Sequence, residues 1–298
     1  MQRRAFVSAL GTALLTPAAL IGCAEIGTGY DVTDTPREGA IAWPADRART
    51  ALVLGSGGPR GFAHVGVLKA LEAQGIEPSL IVGASAGAIV GALYAARLAA
   101  REIEALALDL GVRQIADPAI WRPNRLIGRA LQDTIVNATK IARIEDLPRP
   151  FVAVAASVSG GKLVAFTKGH LGAAVRASAA LPSMFLPVTV AGELYEDGDM
   201  VSPVPIRVAR RLGATRVVAV DVSAWVEDEP AQAYESWRKR DAERRAIITD
   251  EALDADYVLR IRLPYYAGAS REYRENVIAL GETQTLAATQ DIRKLLAA

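Results

Sequence analysis

The sequence predicts an α/β fold, with a mostly parallel central sheet covered by helices on both faces. Three observations carry this expectation. Apolar runs at residues 51–54, 80–82, 151–158 and 217–222 have the length and composition of buried strands. The first two feed straight into helical patterns, and a βαβα order sets parallel strands side by side. Glycine-rich turns, Gly55 to Gly61 and Gly83 to Gly87, stand at both strand-to-helix joints.

The elements follow in order. After the first glycine loop, Val65, Leu68, Leu71, Ala63, Val67 and Ala70 make the apolar side of a helix with Lys69 and Glu72 facing out. Gly75 is its cap, and Pro78 precedes the second strand. An Ala-rich helix runs from residue 86 to 100. Residues 102–141 read as mostly helical, interrupted at Asp117-Pro118 and at 122–124, and are expected to form a cap over the site. Strands at 151–158 and 164–166 lead to a helix of small residues, 171–180, closed by Leu181-Pro182. Residues 188–195 read as strand, turn and strand, running into Glu196-Asp197-Gly198-Asp199. A helix at 207–212 and the buried strand at 217–222 come next. Residues 227–254 are highly charged, acidic early and basic later at Arg238, Lys239, Arg240, Arg244 and Arg245. That charge order suits a solvated helix aligned with its own dipole, and the basic half also suits anionic lipid headgroups. A strand at 257–263 and a helix at 277–296 close the chain. No repeat or later linker divides it, so residues 49–298 are expected to be one domain.

The first 48 residues are of another kind. Gln2-Arg3-Arg4 is a short basic start, and residues 5–20 form an apolar stretch of signal-peptide length, broken by Gly11, Thr12, Thr16 and Pro17. Leu20-Ile21-Gly22-Cys23 resembles a bacterial lipobox, and Cys23 is the only cysteine in the chain. Residues 1–22 are therefore expected to be a lipoprotein signal peptide, with Cys23 lipidated and 23–48 a flexible tether rich in Gly, Thr and Pro. An ordinary signal peptide cleaved nearby is the alternative. Arg3-Arg4-Ala5-Phe6-Val7 also resembles a twin-arginine export signal. Ala24 lacks the Asp that often retains lipoproteins at the inner membrane, which favours the periplasmic side of the outer membrane in a bacterial envelope. With 34 basic against 33 acidic residues and no basic run, the chain has no footprint for nucleic acid.

The chemistry centres on Gly83-Ala84-Ser85-Ala86-Gly87 between a strand and a helix, the context of a nucleophile elbow. Gly83 and Gly87 let the backbones pass, leaving Ser85 at the tip of the turn. The loop Gly55-Ser56-Gly57-Gly58-Pro59-Arg60-Gly61 misses the dinucleotide fingerprint, since its third position is Arg60, and no Walker A lysine exists. It suits an oxyanion hole, with the Gly57 and Gly58 N–H groups facing an attacked carbonyl. A serine nucleophile needs a base, and the two histidines, His64 and His170, are badly placed for a triad, better suited to packing and capping. A carboxylate acting directly on the serine is the alternative, and Asp197 stands at a strand-to-loop junction before Gly198.

Taken together, Gly57-Gly58-Pro59-Arg60-Gly61, the Ser85 pentapeptide, residues 175–187 (Val-Arg-Ala-Ser-Ala-Ala-Leu-Pro-Ser-Met-Phe-Leu-Pro) and Asp197-Gly198 resemble the patatin-like phospholipase family. His64-Val65-Gly66-Val67-Leu68 is also similar to the segment after that family's oxyanion loop. The resemblance covers about residues 51–222. It implies a three-layer patatin-like fold and hydrolysis of membrane-lipid acyl esters through a serine–aspartate dyad, without metal or cofactor. Ser85 would be the nucleophile and Asp197 the base. Gly57 and Gly58 would form the oxyanion hole, with Arg60 shaping it and Gly55, Gly61, Gly83, Gly87 and Gly198 as supporting positions. Two residues depart from the family pattern: Ser56 replaces the first loop glycine, and Asp199 stands where Gly or Ala is usual. Asp199 either points inward and raises the Asp197 pKa or faces solvent. An esterase or thioesterase for soluble acyl substrates, and a non-catalytic envelope lipoprotein, are the competing readings.

Overall fold

The computed structural model describes residues 34–46, 48–111, 114–115, 117–119, 122 and 124–297. The expected signal peptide and Cys23 lie outside the described residues. Eight strands form one sheet: Thr50–Leu54 (β1), Leu80–Ala84 (β2), Phe151–Ser157 (β3), Leu163–Phe166 (β4), Val188–Val190 (β5), Glu193–Asp197 (β6), Arg216–Asp221 (β7) and Tyr257–Arg260 (β8). Their order is β5-β6-β3-β2-β1-β7-β8, with β4 also paired to β3. Strands β3, β2, β1, β7 and β8 are mutually parallel, and β4, β5 and β6 join antiparallel. The predicted mostly parallel sheet is thus observed, with an antiparallel end built by the strand–turn–strand segment.

Strands β1, β2 and β3 are buried along their whole length, as strands covered on both faces must be. Their alternating side chains enter two cores. Leu52, Leu54 and Ile81 meet Ala63–Ala73 (α1), Ala86–Ala95 (α2), Ala100–Asp109 (α3), Arg129–Thr139 (α4), Leu171–Ser178 (α5) and Arg271–Ala297 (α8). Ala51, Val53, Leu80 and Val82 meet Ile206–Arg211 (α6) and Ile248 of Glu235–Ala252 (α7). These are the three layers.

Two expectations fail. Against the expected cap, no described residue of 102–141 lines the cavity at Ser85, and helices α3 and α4 pack into the first core through Ile103, Leu131 and Ile135. The stretch read as tether is docked from Asp34 onward. Arg37 N–H donates to Lys168 O (3.0 Å), Glu38 accepts from Ala165 N (3.0 Å), and Trp43 Nε1 donates to Leu212 O (2.9 Å). Among the described residues no helix is long and apolar enough to cross a membrane.

Register positions the site. β2 pairs with β3 up to Ala84↔Val154, and β6 pairs with the next residues, Ala155↔Asp197 onward. β4 occupies the opposite edge of β3, so β2 and β6 share one edge and run toward each other. Their C-terminal ends meet there, which brings Asp197 to Ser85 across 112 positions of sequence.

Candidate active site

Ser85 sits between β2 and α2 with φ 54° and ψ −122°. A positive φ in a non-glycine residue is strained, and such strain concentrates where function requires it. The turn survives because Gly87 lets the chain pass: a Cβ there would lie 2.0 Å from Leu54 O. The Ser85 N–H donates to Ser178 Oγ (3.1 Å), and Ser178 Oγ donates to Val154 O (2.6 Å). Ser178, from the α5 motif, therefore pins the elbow to β3. The Ser85 hydroxyl lies at the α2 N-terminus, where the helix dipole favours negative charge on its oxygen.

Ser85 Oγ donates to Asp197 Oδ2 at 2.7 Å. The other carboxylate oxygen accepts the Asp199 N–H at 2.8 Å. Asp197 is fully buried, and burial pushes its pKa from 3.8 up to about 7. The nearby Asp199 charge adds to the rise, while the Asp199 N–H, the Ser85 hydroxyl and Arg244 oppose it. The carboxyl so placed titrates close to neutrality, where a general base for a hydroxyl works best. Gly198 is obligatory behind it, since a Cβ would stand 2.2 Å from Val154 O.

Neither histidine takes part. His64 is fully buried with Nε2 2.7 Å from Gly55 O, and burial lowers its pKa to about 4, leaving it neutral. His170 Nδ1 accepts the Ala173 N–H at 3.2 Å and caps α5. Both were expected to pack or cap.

A cavity of about 470 Å³ opens onto Ser85 and Asp197. Gly57, Gly58 and Arg60 line it, and among the described residues neither glycine N–H is used in an intramolecular hydrogen bond. Gly58 has φ +54° and faces open space. Gly57 is crowded by the protein wall, since a Cβ there would strike Val222 Cγ2 at 2.7 Å. Buried Arg60 ties the loop to the far wall by donating to Tyr265 O (2.8 Å), and burial followed by the Arg244 charge lowers its pKa.

The far wall is what sequence reasoning missed. It is built by Trp237, Arg240, Asp241 and Arg244 of α7 with Tyr265 and Tyr266. The segment expected to be merely solvated thus faces the site. Tyr265 OH donates to Asp241 (3.2 Å), and Trp237, Tyr266 and Tyr265 stack edge to face in series. Asp199 neither faces solvent nor stands alone: it points inward, and Arg244 Nε donates to its Oδ1 at 2.8 Å. The signal in the sequence was Trp237, Asp241, Arg244, Ile248 and Glu251 on one helical face, mostly charged and therefore invisible to a search for apolar periodicity.

A strained serine between strand and helix, hydrogen-bonded to a buried aspartate beside a glycine loop, defines a serine–carboxylate site on an α/β sheet. The sequence matches the patatin-like phospholipase family over residues 52–210, and the chain belongs to that family. It is 39% identical over 179 residues to an uncharacterized NTE family protein of Mycobacterium tuberculosis, covering 59% of this chain and 49% of that protein. It is 31% identical over 194 residues to Lysophospholipase NTE1 of Mycosarcoma maydis, covering 61% of this chain and 10% of that protein. It is also 33% identical over 187 residues to human patatin-like phospholipase domain-containing protein 6, covering 60% and 14%. The chain thus matches half or less of the length of each of these relatives. Among solved structures it resembles VipD from Legionella pneumophila, with TM-score 0.57 and 14% identity over 86% of this chain and 70% of that one, a likeness of fold.

Proposed function

We propose that this chain is a lipid acyl-ester hydrolase working through Ser85 and Asp197. The observation that carries the reading is the 2.7 Å hydrogen bond from the Ser85 hydroxyl to a fully buried carboxyl titrating near pH 7. As Ser85 Oγ attacks the ester carbonyl, its proton passes to Asp197. The negative oxygen that forms is met by the Gly57 and Gly58 N–H groups, each such donor typically contributing about 2.7–4 kcal/mol. The C–O bond breaks, the alcohol leaves with the proton from Asp197, and Ser85 holds the acyl group. Water then attacks, gives its proton to Asp197, and the fatty acid leaves as the proton returns to Ser85.

Phospholipids or lysophospholipids are the proposed substrates, supported by family membership and by relatives named lysophospholipase and patatin-like phospholipase. The aromatic wall of Trp237, Tyr265 and Tyr266 suits an acyl chain. The non-catalytic reading rested on Asp199, and the pairing of Asp199 with Arg244 favours the catalytic one. We also propose that Cys23 is lipidated and holds the enzyme on the periplasmic side of a bacterial outer membrane, on the strength of the lipobox residues.

The test is fluorophosphonate labelling together with hydrolysis of lysophosphatidylcholine and of a short p-nitrophenyl ester. Labelling of wild type, lost in Ser85→Ala, with turnover lost in Ser85→Ala and Asp197→Asn, is expected. Turnover of the short ester alone would move the substrate class to soluble esters. No labelling and no turnover of either substrate would overturn the reading. Metabolic incorporation of palmitate, abolished by Cys23→Ser, tests the anchor.

A further inference from the structure

The two departures from the family pattern meet in space. Ser56, from the oxyanion loop, and Asp199, from the turn after Asp197, are hydrogen-bonded to each other, the serine donating to Asp199 Oδ1. Arg244 of α7 joins both: Nε donates to Asp199 Oδ1 at 2.8 Å, and a terminal nitrogen donates to Ser56 Oγ at 2.9 Å. The Asp199 and Arg244 side chains are only 15% and 10% exposed, so the pair is shielded from solvent screening. Asp199 in turn gives its N–H to Asp197. One guanidinium therefore links the oxyanion loop, the turn bearing the aspartate and the helix that walls the cavity.

We propose that Arg244 is a positioning residue for Asp197: it clamps Asp199 directly and through Ser56, fixing the shape and charge balance of the turn when α7 is seated. The inference rests on the proposed Ser85–Asp197 chemistry. A second carboxylate two residues from the base opposes its ionisation, and a cation on that carboxylate offsets part of the opposition. The other ionisable groups lining the cavity are Arg60, from the β1 loop, Arg240 and Asp241, from α7, and Tyr265. Arg60 and Arg240 make no ion pair to Asp199 or Asp197 among the described residues, which leaves Arg244 as the partner that acts on the turn. Loss of Arg244 would expose Asp197 to an uncompensated Asp199, whereas loss of both charges would not.

The test measures Asp197 directly, so that it does not depend on turnover. Carboxyl carbons of aspartate-labelled protein are titrated by NMR, with Asp197 assigned by its absence in Asp197→Asn, in wild type, Arg244→Gln, Arg244→Lys, Asp199→Asn and the double variant Arg244→Gln/Asp199→Asn. Arg244→Gln is expected to raise the Asp197 midpoint by about one pH unit. Arg244→Lys should fall between, and the double variant should return to the wild-type value or below. The acid limb of kcat/KM on a soluble ester should move with the same midpoints. An unmoved midpoint in Arg244→Gln, or a double variant no lower than the single, overturns the inference. Midpoints that shift as stated in a protein without turnover overturn the hydrolase reading and leave the clamp standing. If Arg244→Gln does not fold, Asp199→Asn carries the test: a midpoint at or below wild type supports the clamp, and a higher one overturns it.

Discussion

Asp197→Asn should give a protein that is inactive yet more stable at neutral pH. Burial holds the Asp197 pKa at about 7 in the folded protein, against 3.8 for the free side chain. At about 1.4 kcal/mol per pH unit, carrying the charge costs on the order of 4 kcal/mol above pH 7. The sign follows from proton binding. Between pH 4 and 7 the folded state holds the proton that the unfolded state has released, so stability is fully present below about pH 4 and lost as pH rises through 7. Asparagine never carries this cost. Its carbonyl can accept the Asp199 N–H while its amide donates to Ser85 Oγ, preserving both contacts made by the aspartate. The variant and wild type should therefore melt together near pH 4 and separate progressively, by roughly 10 °C at pH 8 for a domain of this size. Urea or thermal melts at pH 4, 5, 6, 7 and 8 measure this, beside ester turnover. A gap that is absent at pH 8, or equal at every pH, would refute the argument that burial of a charge governs this carboxyl.

Wild-type kcat/KM should rise with pH through a midpoint near 7 and fall about tenfold per pH unit well below it, because only ionised Asp197 can take the serine proton; a pH-rate profile on a soluble ester checks this. Ser178→Ala leaves the Ser85 N–H and Val154 O without their shared partner, which should destabilise by about 1–3 kcal/mol and lower kcat more than it raises KM; melts and initial rates read both. Gly198→Ala puts a Cβ 2.2 Å from a β3 carbonyl and should cost about 1–3 kcal/mol while displacing Asp197, seen as lost turnover in a protein still folded by circular dichroism. His170→Ala should cost about 1 kcal/mol from the lost α5 cap and leave turnover unchanged.

Most of the sheet was legible because its strands are covered on both faces, and short continuous apolar runs such as 51–54 and 217–220 fit a doubly covered strand far better than a surface element. The elbow and the turn after Asp197 were legible because backbone crowding at Gly83, Gly87 and Gly198 leaves only one residue type possible. The cap was misplaced for a complementary reason. The apolar stripes of α3 and α4 say that those helices are covered on one side, but not by what. The covering surface was the sheet-facing core through Ile103, Leu131 and Ile135. The partner of Asp199 was illegible in the same way. A carboxylate two residues from Asp197 reads identically in sequence whether it faces water or a cation 45 positions away.

Helix α7 shows why a polar wall escapes notice and what it implies. Its seat on the domain is made mainly by charges: Arg244 on Asp199, Arg245 on Asp221 (2.6 Å), and Glu251 on Ser202 and the Arg207 N–H. Well-packed apolar residues of similar volume serve stability as well as or better than buried ion pairs, since desolvation cancels much of the attraction. A helix needed only to cover the sheet would therefore gain little from this face. Its charges make sense when their positions are considered: Arg244 reaches the turn of Asp197, Arg245 reaches the end of β7, and Asp241 and Arg240 line the cavity beside Ser85. The face of α7 answers to the site's electrostatics before it answers to packing. Truncating Arg245 to Gln, which touches neither Asp199 nor Asp197, should thus loosen the helix and lower stability without moving the pH midpoint of turnover, whereas Arg244→Gln should move it.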